Sequence, residues 1–154
     1  MSSGIRFTTY PRTAAPPDFV YEIISVFKEH GKRISTLQLT KGLVSDSVLK
    51  VLSSGLLKLG FEVEGSKSRD GKIERPVFYG ENGVPSIRYE IDAYQPTWKC
   101  GLEVEAGRAV LGNAIYRDLF QAMVMTELEH LCLAVPNVYR YRSSGKNFGL
   151  PGKT

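Results

Sequence analysis

Cysteine and histidine are scarce in this sequence, with two of each in 154 residues. Cys100 and Cys132 stand alone, without the paired spacing of a zinc site, and the two histidines form no HxH or HxxxH pattern. The stretch MSSGIRFTTYPR lacks the nonpolar run of a signal peptide, and no nonpolar run approaches the ~20 residues that span a bilayer. We therefore expect a reduced, cytoplasmic protein without a histidine-rich metal centre.

Length and composition fit a single globular domain over residues 1–154, because 42% of the residues are hydrophobic and 23% are charged. No repeat period stands out, which argues against a solenoid. The formal net charge of +4 and the isoelectric point near 9.1 favour an anionic partner only mildly. Function must therefore be inferred from motifs.

Hydrophobic periodicity predicts two helices and two strands in the first half of the chain. DFVYEIISVFKEHG follows two prolines and repeats nonpolar residues at helical spacing, with Gly31 placed as a C-cap. A second helix over roughly 46–59 begins at an N-cap, Ser45 or Ser47, and ends at Gly60. Alternation then predicts short strands at 61–65 and 76–80.

The second half predicts one more helix and a final strand. The helix covers roughly 108–127, and we expect it to pack on the core through a nonpolar stripe formed by Leu111, Ile115, Leu119 and Met123. HLCLAV, at 130–135, is typical of a buried strand.

Between these halves, YEIDAYQPTWKCGLEVEAG alternates as two strands joined by a tight turn. A two-residue turn at Thr97 and Trp98 places Asp92 directly opposite Glu103, so both side chains point to the same sheet face. Glu105 lies on that face about 7 Å further along. Three carboxylates therefore converge.

The opposite face of this hairpin is nonpolar, since the same register pairs Ile91 with Val104 and Ala93 with Leu102. The register stays open at this point, because Thr-Trp is not the turn that two-residue loops prefer and a longer loop would shift the pairing. A solvated hairpin with unrelated acids is the alternative. We favour a site, because opposed like charges destabilise a sheet unless a cation lies between them.

Clustered carboxylates are the ligands that hard divalent cations such as Mg²⁺ prefer, together with water and phosphate oxygens. A cation held in this way can polarise a phosphoryl group and activate water. The predicted chemistry is phosphodiester hydrolysis.

Asp92, followed after ten residues by Glu103-Val104-Glu105, resembles the signature of the PD-(D/E)XK nuclease superfamily, with Glu in the place usually held by Lys. This ExE variant is similar to that of BamHI-type restriction endonucleases, and BglII-type enzymes carry Gln there. AGRAVLGNAIYRDLFQAMVM is similar to the helix that follows the catalytic strand in BglII-type enzymes. The resemblance covers roughly residues 45–136. It implies an α/β fold with a restriction-endonuclease-like core, a mixed sheet of about five strands flanked by helices.

The same resemblance implies a metal-dependent endonuclease that cleaves DNA with Mg²⁺, or with Mn²⁺ as a substitute. Asp92 and Glu103 would be metal ligands, with the Val104 carbonyl as an additional ligand. Glu105 would take the position that activates the attacking water, directly or through a second metal. One-metal and two-metal arrangements both stay open.

One basic stretch and one arginine are candidates for contacts with the nucleic acid. NVYRYRSSGKNFG interleaves aromatic and cationic residues, which suits backbone and stacking contacts by Tyr139, Arg140, Arg142 and Lys146, with a frayed tail as the alternative. Arg108 in the first turn of the third helix opposes the helix dipole unless a phosphate or the acidic cluster lies nearby. Substrate contact and an ordinary surface position are equally favoured for it.

Four other polar residues have plainer explanations. Tyr116 and Gln121 could line the same cleft and Glu22 could add an acid, although helix-surface positions explain all three. Lys99 is interpreted as a solvated turn charge.

The domain would comprise an N-terminal helical extension, about 1–44, the nuclease-like core, and a C-terminal basic tail, about 137–154. A homodimer is expected, because at this chain length cutting both strands of a specific site needs a bidentate or a dimeric arrangement. The alternative function is a non-catalytic nucleic-acid-binding or assembly module on the same fold, and a carboxylate-rich metal-binding protein is a further one.

Overall fold

The computed structural model describes residues 4–36, 42–65, 71–106, 113–143 and 146–151, and only the backbone over 139–143 and 146–151. The helices are α1 (Asp18–Glu29), α2 (Gly31–Ile34), α3 (Ser45–Lys58) and α4 (Ala114–Val124). The strands are β1 (Glu62–Val63), β2 (Ile73–Tyr79), β3 (Pro85–Ile91), β4 (Ala93–Gln95), β5 (Cys100–Val104), β6 (His130–Ala134), β7 (Val138–Ser143) and β8 (Lys146–Pro151). Among the helices described, none has the length and nonpolar composition needed to cross a membrane.

A mixed four-stranded sheet lies at the centre, in the order β1-β4-β5-β6. Strand β4 is antiparallel to both of its neighbours, β1 and β5. Strands β5 and β6 run parallel and are connected through α4. Strands β2 and β3 form a separate antiparallel pair, and so do β7 and β8. The predicted mixed α/β class is confirmed, with four strands in the main sheet instead of about five.

Helices α1 and α3 cover one face of this sheet. Ile23 and Phe27 of α1 and the fully buried Leu52 and Leu56 of α3 share one core cluster with Leu102 of β5. Helix α1, which lies within the predicted N-terminal extension, is therefore part of the main core. Burying each such side chain stabilises the fold by about 1.5–3 kcal/mol.

At the helix ends, two of the predicted caps are wrong and one predicted end is confirmed. Gly31 does not cap α1, because the chain continues at Gly31 into the short helix α2. Neither serine caps α3: the N-cap residue is Val44, and the Ser45 hydroxyl accepts a hydrogen bond from the Ala106 amide (2.9 Å). Gly60 ends α3 as predicted, with a φ of +83° that glycine adopts without steric strain.

The predicted core stripe of α4 is wrong at two of its four positions, and a third, Ile115, is half-buried. Leu111 lies outside the described residues, while Leu119 and Met123 are 45% and 75% exposed. The buried face of α4 instead consists of Ala114, Asp118 and Ala122. The large nonpolar side chains of α4, Phe120 and Met123 among them, lie on its exposed face.

The C-terminal segment predicted as a basic tail forms a hairpin between β7 and β8. Its register places Arg140 opposite Gly149 and Arg142 opposite Asn147. The predicted nucleic-acid residues in this segment therefore lie on paired strands.

Candidate active site

The hairpin of β4 and β5 has the predicted register, with Ala93 opposite Leu102 and Gln95 opposite Cys100. The turn itself contains four residues, 96–99, so the register is kept with a longer loop than predicted. The Gln95 side chain stabilises this loop by accepting a hydrogen bond from the Trp98 amide (2.8 Å).

Ile91 departs from the prediction. The chain bends at Asp92 between β3 and β4, and Ile91 pairs with Ile73 of β2. It packs with Tyr94 and Met125 in a second cluster, and a Cβ added at Gly101 would overlap it. Ile91 is therefore buried as predicted, but in a different cluster from Val104.

The bend brings the Asp92 carboxylate back onto the neighbouring strand. Its Oδ2 accepts a hydrogen bond from the Val104 amide (2.8 Å), and its carboxyl group is in hydrogen-bond contact with that of Glu103. The predicted convergence of Asp92 and Glu103 is therefore confirmed. Val104 also lines the cavity beside them, and its carbonyl stays a predicted ligand.

Burial makes the charged form of Glu103 unfavourable. The side chain is 9% exposed, and its pKa is raised to about 9, first by desolvation and then by the charges of Asp92 and Asp118. Desolvation also raises the pKa of Asp92, although the Val104 amide opposes this shift. The protonated form of Glu103 is accordingly favoured at neutral pH, since two close carboxylates in a dry site cannot both ionise.

Glu105 follows the end of β5, and its amide donates to the Ala134 carbonyl (2.9 Å). Desolvation and contact with Asp118 raise its pKa to about 7, against the opposing effect of Arg117. The Arg117 guanidinium lies 3.8 Å from Glu105 Oε1 and 2.9 Å from Asp118 Oδ1. Glu105 therefore titrates near neutrality.

Asp118 is a member of the cluster that sequence reasoning missed. It is 4% exposed, and it touches Glu105 from α4. The signal was present in the spacing, because Ala114, Asp118 and Ala122 follow one another every four residues and form one helical face. The larger nonpolar residues nearby, such as Leu119 and Met123, predicted that a different face of the helix would be buried.

The cluster opens into a cavity of about 500 Å³ between the hairpin, α3 and α4. Its lining contains seven acidic side chains: Asp46, Glu64, Glu90, Asp92, Glu103, Glu105 and Asp118. The cations in the lining are Arg88 and Arg117. Desolvation and the nearby Asp92 charge raise the pKa of Glu64 as well, so the crowding of acids in this lining favours their protonated forms.

The other residues named from the sequence are distributed differently. Gln121 lines the cavity, whereas Tyr116 is 71% exposed and Glu22 is exposed on α1. Lys99 forms an ion pair with Glu129 (2.6 Å) in the turn region. Arg108 lies outside the described residues, and Tyr139, Arg140, Arg142 and Lys146 are described by their backbone alone.

The donor chemistry fits a hard cation, since the cluster offers carboxylate oxygens and Asp118 Oδ2 is buried without a hydrogen-bond donor among the described residues. The acids are arranged in two contacting pairs, Asp92 with Glu103 and Glu105 with Asp118. Within the described ranges no three His, Cys, Asp or Glu side chains form a group that could hold a metal ion. A cation here would thus have two protein carboxylates, with water or phosphate oxygens completing its coordination.

Comparison of the chain with protein-family models, with curated proteins and with solved structures gives no match.

Proposed function

We propose that this protein is a metal-dependent endonuclease that hydrolyses DNA phosphodiester bonds, built on a restriction-endonuclease-like core. The observation that supports this function is the convergence of Asp92, Glu103, Glu105 and Asp118 at one cavity. Burying several carboxyl groups together is costly unless a cation compensates them. Perturbed acids in a cleft are a feature of functional sites.

Asp92 and Glu103 are the proposed ligands of a divalent cation, Mg²⁺ or Mn²⁺, with the Val104 carbonyl beside them. A bound cation would supply Lewis-acid polarisation of the phosphoryl group and would lower the pKa of a coordinated water. The Val104 amide orients Asp92 through its hydrogen bond to Oδ2. Glu105 is the proposed proton acceptor for the attacking water, and its pKa of about 7 suits a general base at neutral pH.

DNA is the proposed substrate, and the contacts to it are proposed for basic residues around the acids. Arg88 and Arg117 line the cavity, where a guanidinium can bind a phosphate. Tyr139, Arg140, Arg142 and Lys146 lie on the β7–β8 hairpin, a two-stranded ribbon of the kind that some proteins place against nucleic acid.

We further propose a homodimer formed through the outer face of α4. Tyr116, Phe120 and Met123 are 71%, 65% and 75% exposed there, beside a half-exposed Leu119. Since such side chains can bury about 150–250 Å² each, the patch approaches roughly 500 Å². A patch of this area is near the upper limit found on the surface of monomers. With a polar rim around it, the contact would approach the ~800 Å² that each partner buries in a stable interface. A second copy placed there would supply the second active site that double-strand cleavage requires.

The decisive experiment is cleavage of supercoiled plasmid, single-stranded DNA and RNA with Mg²⁺, Mn²⁺ or EDTA. The wild type should cut DNA with either cation and not with EDTA. Asp92→Asn and Glu103→Gln should abolish cutting while the protein stays folded, because the neutral groups keep the packing but bind a hard cation weakly. Glu22→Gln, at an exposed position on α1, is the matched control and should cut normally.

Two results would overturn this function. Wild-type protein that binds DNA without cutting it under any cation would support the non-catalytic binding module instead. Wild-type cleavage rates in Asp92→Asn and Glu103→Gln would remove these residues from the chemistry.

A further inference from the structure

The positive charge of this chain is concentrated in two segments, residues 1–17 and 135–154. Together they hold six of the 20 Lys and Arg residues and none of the 16 Asp and Glu residues, so their formal charge is +6. The remaining residues, 18–134, hold the other fourteen cations and all sixteen acids, so their formal charge is −2. The net charge of +4 is therefore the sum of a basic part and a weakly acidic part, and clustered charge of one sign attracts partners of the opposite sign.

The fold brings the two basic segments together at Asn137, one residue before β7. Its side-chain nitrogen donates a hydrogen bond to the Gly4 carbonyl (2.9 Å), and its side-chain oxygen accepts one from Arg6 Nη2 (3.4 Å). Residues 4–6 therefore lie beside the base of the β7–β8 hairpin. Segments that are far apart in sequence thus become neighbours on the surface.

Two further contacts hold the first segment against the body of the protein. Ile5 packs against the main core cluster, and the Phe7 ring meets the Tyr21 ring of α1 edge to face, with the centroids 5.8 Å apart. A cation carried by a segment that is already held in place costs less entropy to fix on a partner. The contacts of this segment thus suit a binding surface.

Arg6 and Arg12 are exposed, and neither forms an ion pair with another described residue. Tyr10 is 75% exposed, and the Arg12 guanidinium lies over its ring, 5.5 Å from the centroid. By contrast, Lys72 and Lys99 are each paired with an acid. Unpaired arginines beside an exposed aromatic ring offer a cation for a phosphate and a flat face for a base.

We propose that residues 4–17 and the β7–β8 hairpin form one surface that binds the sugar-phosphate backbone of DNA. This inference rests on the proposed function for its choice of partner. The surface is separate from the acidic cavity, because none of the described residues that line the cavity belongs to either segment. A cavity lined mainly by acids offers DNA little electrostatic attraction, so the basic surface supplies the attraction that the cavity lacks.

The test is the salt dependence of DNA binding, measured in EDTA by the fluorescence anisotropy of a labelled duplex. Replacing Arg6 and Arg12 together by Gln should weaken binding and lower the slope of log affinity against log salt by about 2, since each lost phosphate contact lowers it by about 0.9. Replacing both by Lys should keep the wild-type slope, because the charges remain. Lys58→Gln, at the end of α3 away from the cavity, is the control for net charge and should keep the slope.

Tyr10→Ala tests the aromatic part of the surface. It should weaken binding of single-stranded DNA about fivefold or more at an unchanged slope, because a stacked ring releases no counterion.

The outcomes separate this surface from the nuclease. A wild-type slope in the Arg6 and Arg12 glutamine variant, with plasmid cleavage in Mg²⁺ intact, would overturn the surface alone. Wild-type protein that binds DNA with the expected slopes but never cuts it would support the surface and overturn the nuclease. Wild-type protein that binds vesicles containing phosphatidylserine but not DNA would overturn the surface as proposed, because its partner would be a membrane.

Discussion

Replacement of Glu103 by Gln should stabilise the metal-free protein at neutral and alkaline pH. Glu103 is 9% exposed and lies against Asp92, with Asp118 also close enough to influence its charge. Its raised pKa means that the folded protein keeps a proton that the unfolded chain releases. Gln resembles the protonated acid in shape and cannot ionise, so the variant avoids this cost.

The sign and size follow from the two pKa values. Below the unfolded value of 4.5 both states hold the proton, and Glu103 does not penalise folding. Between 4.5 and about 9 only the folded state holds it, so stability falls as pH rises, by about 1.4 kcal/mol for each pH unit. The variant should therefore exceed the wild type by about 1 kcal/mol near pH 5.5 and by several kcal/mol at pH 8.

Urea unfolding in EDTA, followed by the fluorescence of Trp98, measures this difference. Trp98 is the single tryptophan, and it stacks on Phe19 at 4.9 Å beside the main core cluster. Glu22→Gln should behave as wild type at both pH values. Saturating Mg²⁺ should stabilise the wild type more than Glu103→Gln, because the variant has lost a ligand. Equal unfolding midpoints for variant and wild type at pH 5.5 and 8 would refute the assigned burial cost.

Two further predictions concern partners. Replacing Arg140 and Arg142 by alanine should weaken nucleic-acid binding across sequences and reduce the salt slope of the affinity by about 1 for each phosphate that the variant no longer binds. An unchanged slope would show that these two arginines of the β7–β8 hairpin do not bind phosphate. Phe120→Ser should shift the sedimentation of the protein from dimer to monomer, because Phe120 is 65% exposed in a single chain and would lie in the proposed interface. A wild type that sediments as a monomer at a concentration on the order of tens of micromolar would contradict the dimer.

Local pattern determined much of the fold and part of the site. Helical spacing located α1 and α3, and Gly60 ended α3 because only a residue that tolerates positive φ fits there. Strand alternation determined the register of β4 and β5, which places Asp92 beside the strand that carries Glu103. These features depend on neighbours in sequence or on one hairpin.

Tertiary structure decided which face of α4 is buried and where the chain bends at Asp92. Periodicity predicted that Leu119 and Met123 would be buried, but the fold turns the face with Ala114, Asp118 and Ala122 inward. Likewise, the bend moves Ile91 into the cluster with Tyr94, so that it pairs with β2 instead of Val104. The sequence by itself determined the main helices and the register of the β4–β5 hairpin through short-range periodicity. Only the packing of α4 against the end of β5 brought Asp118 to Glu105, because that contact depends on how two distant elements approach each other in space.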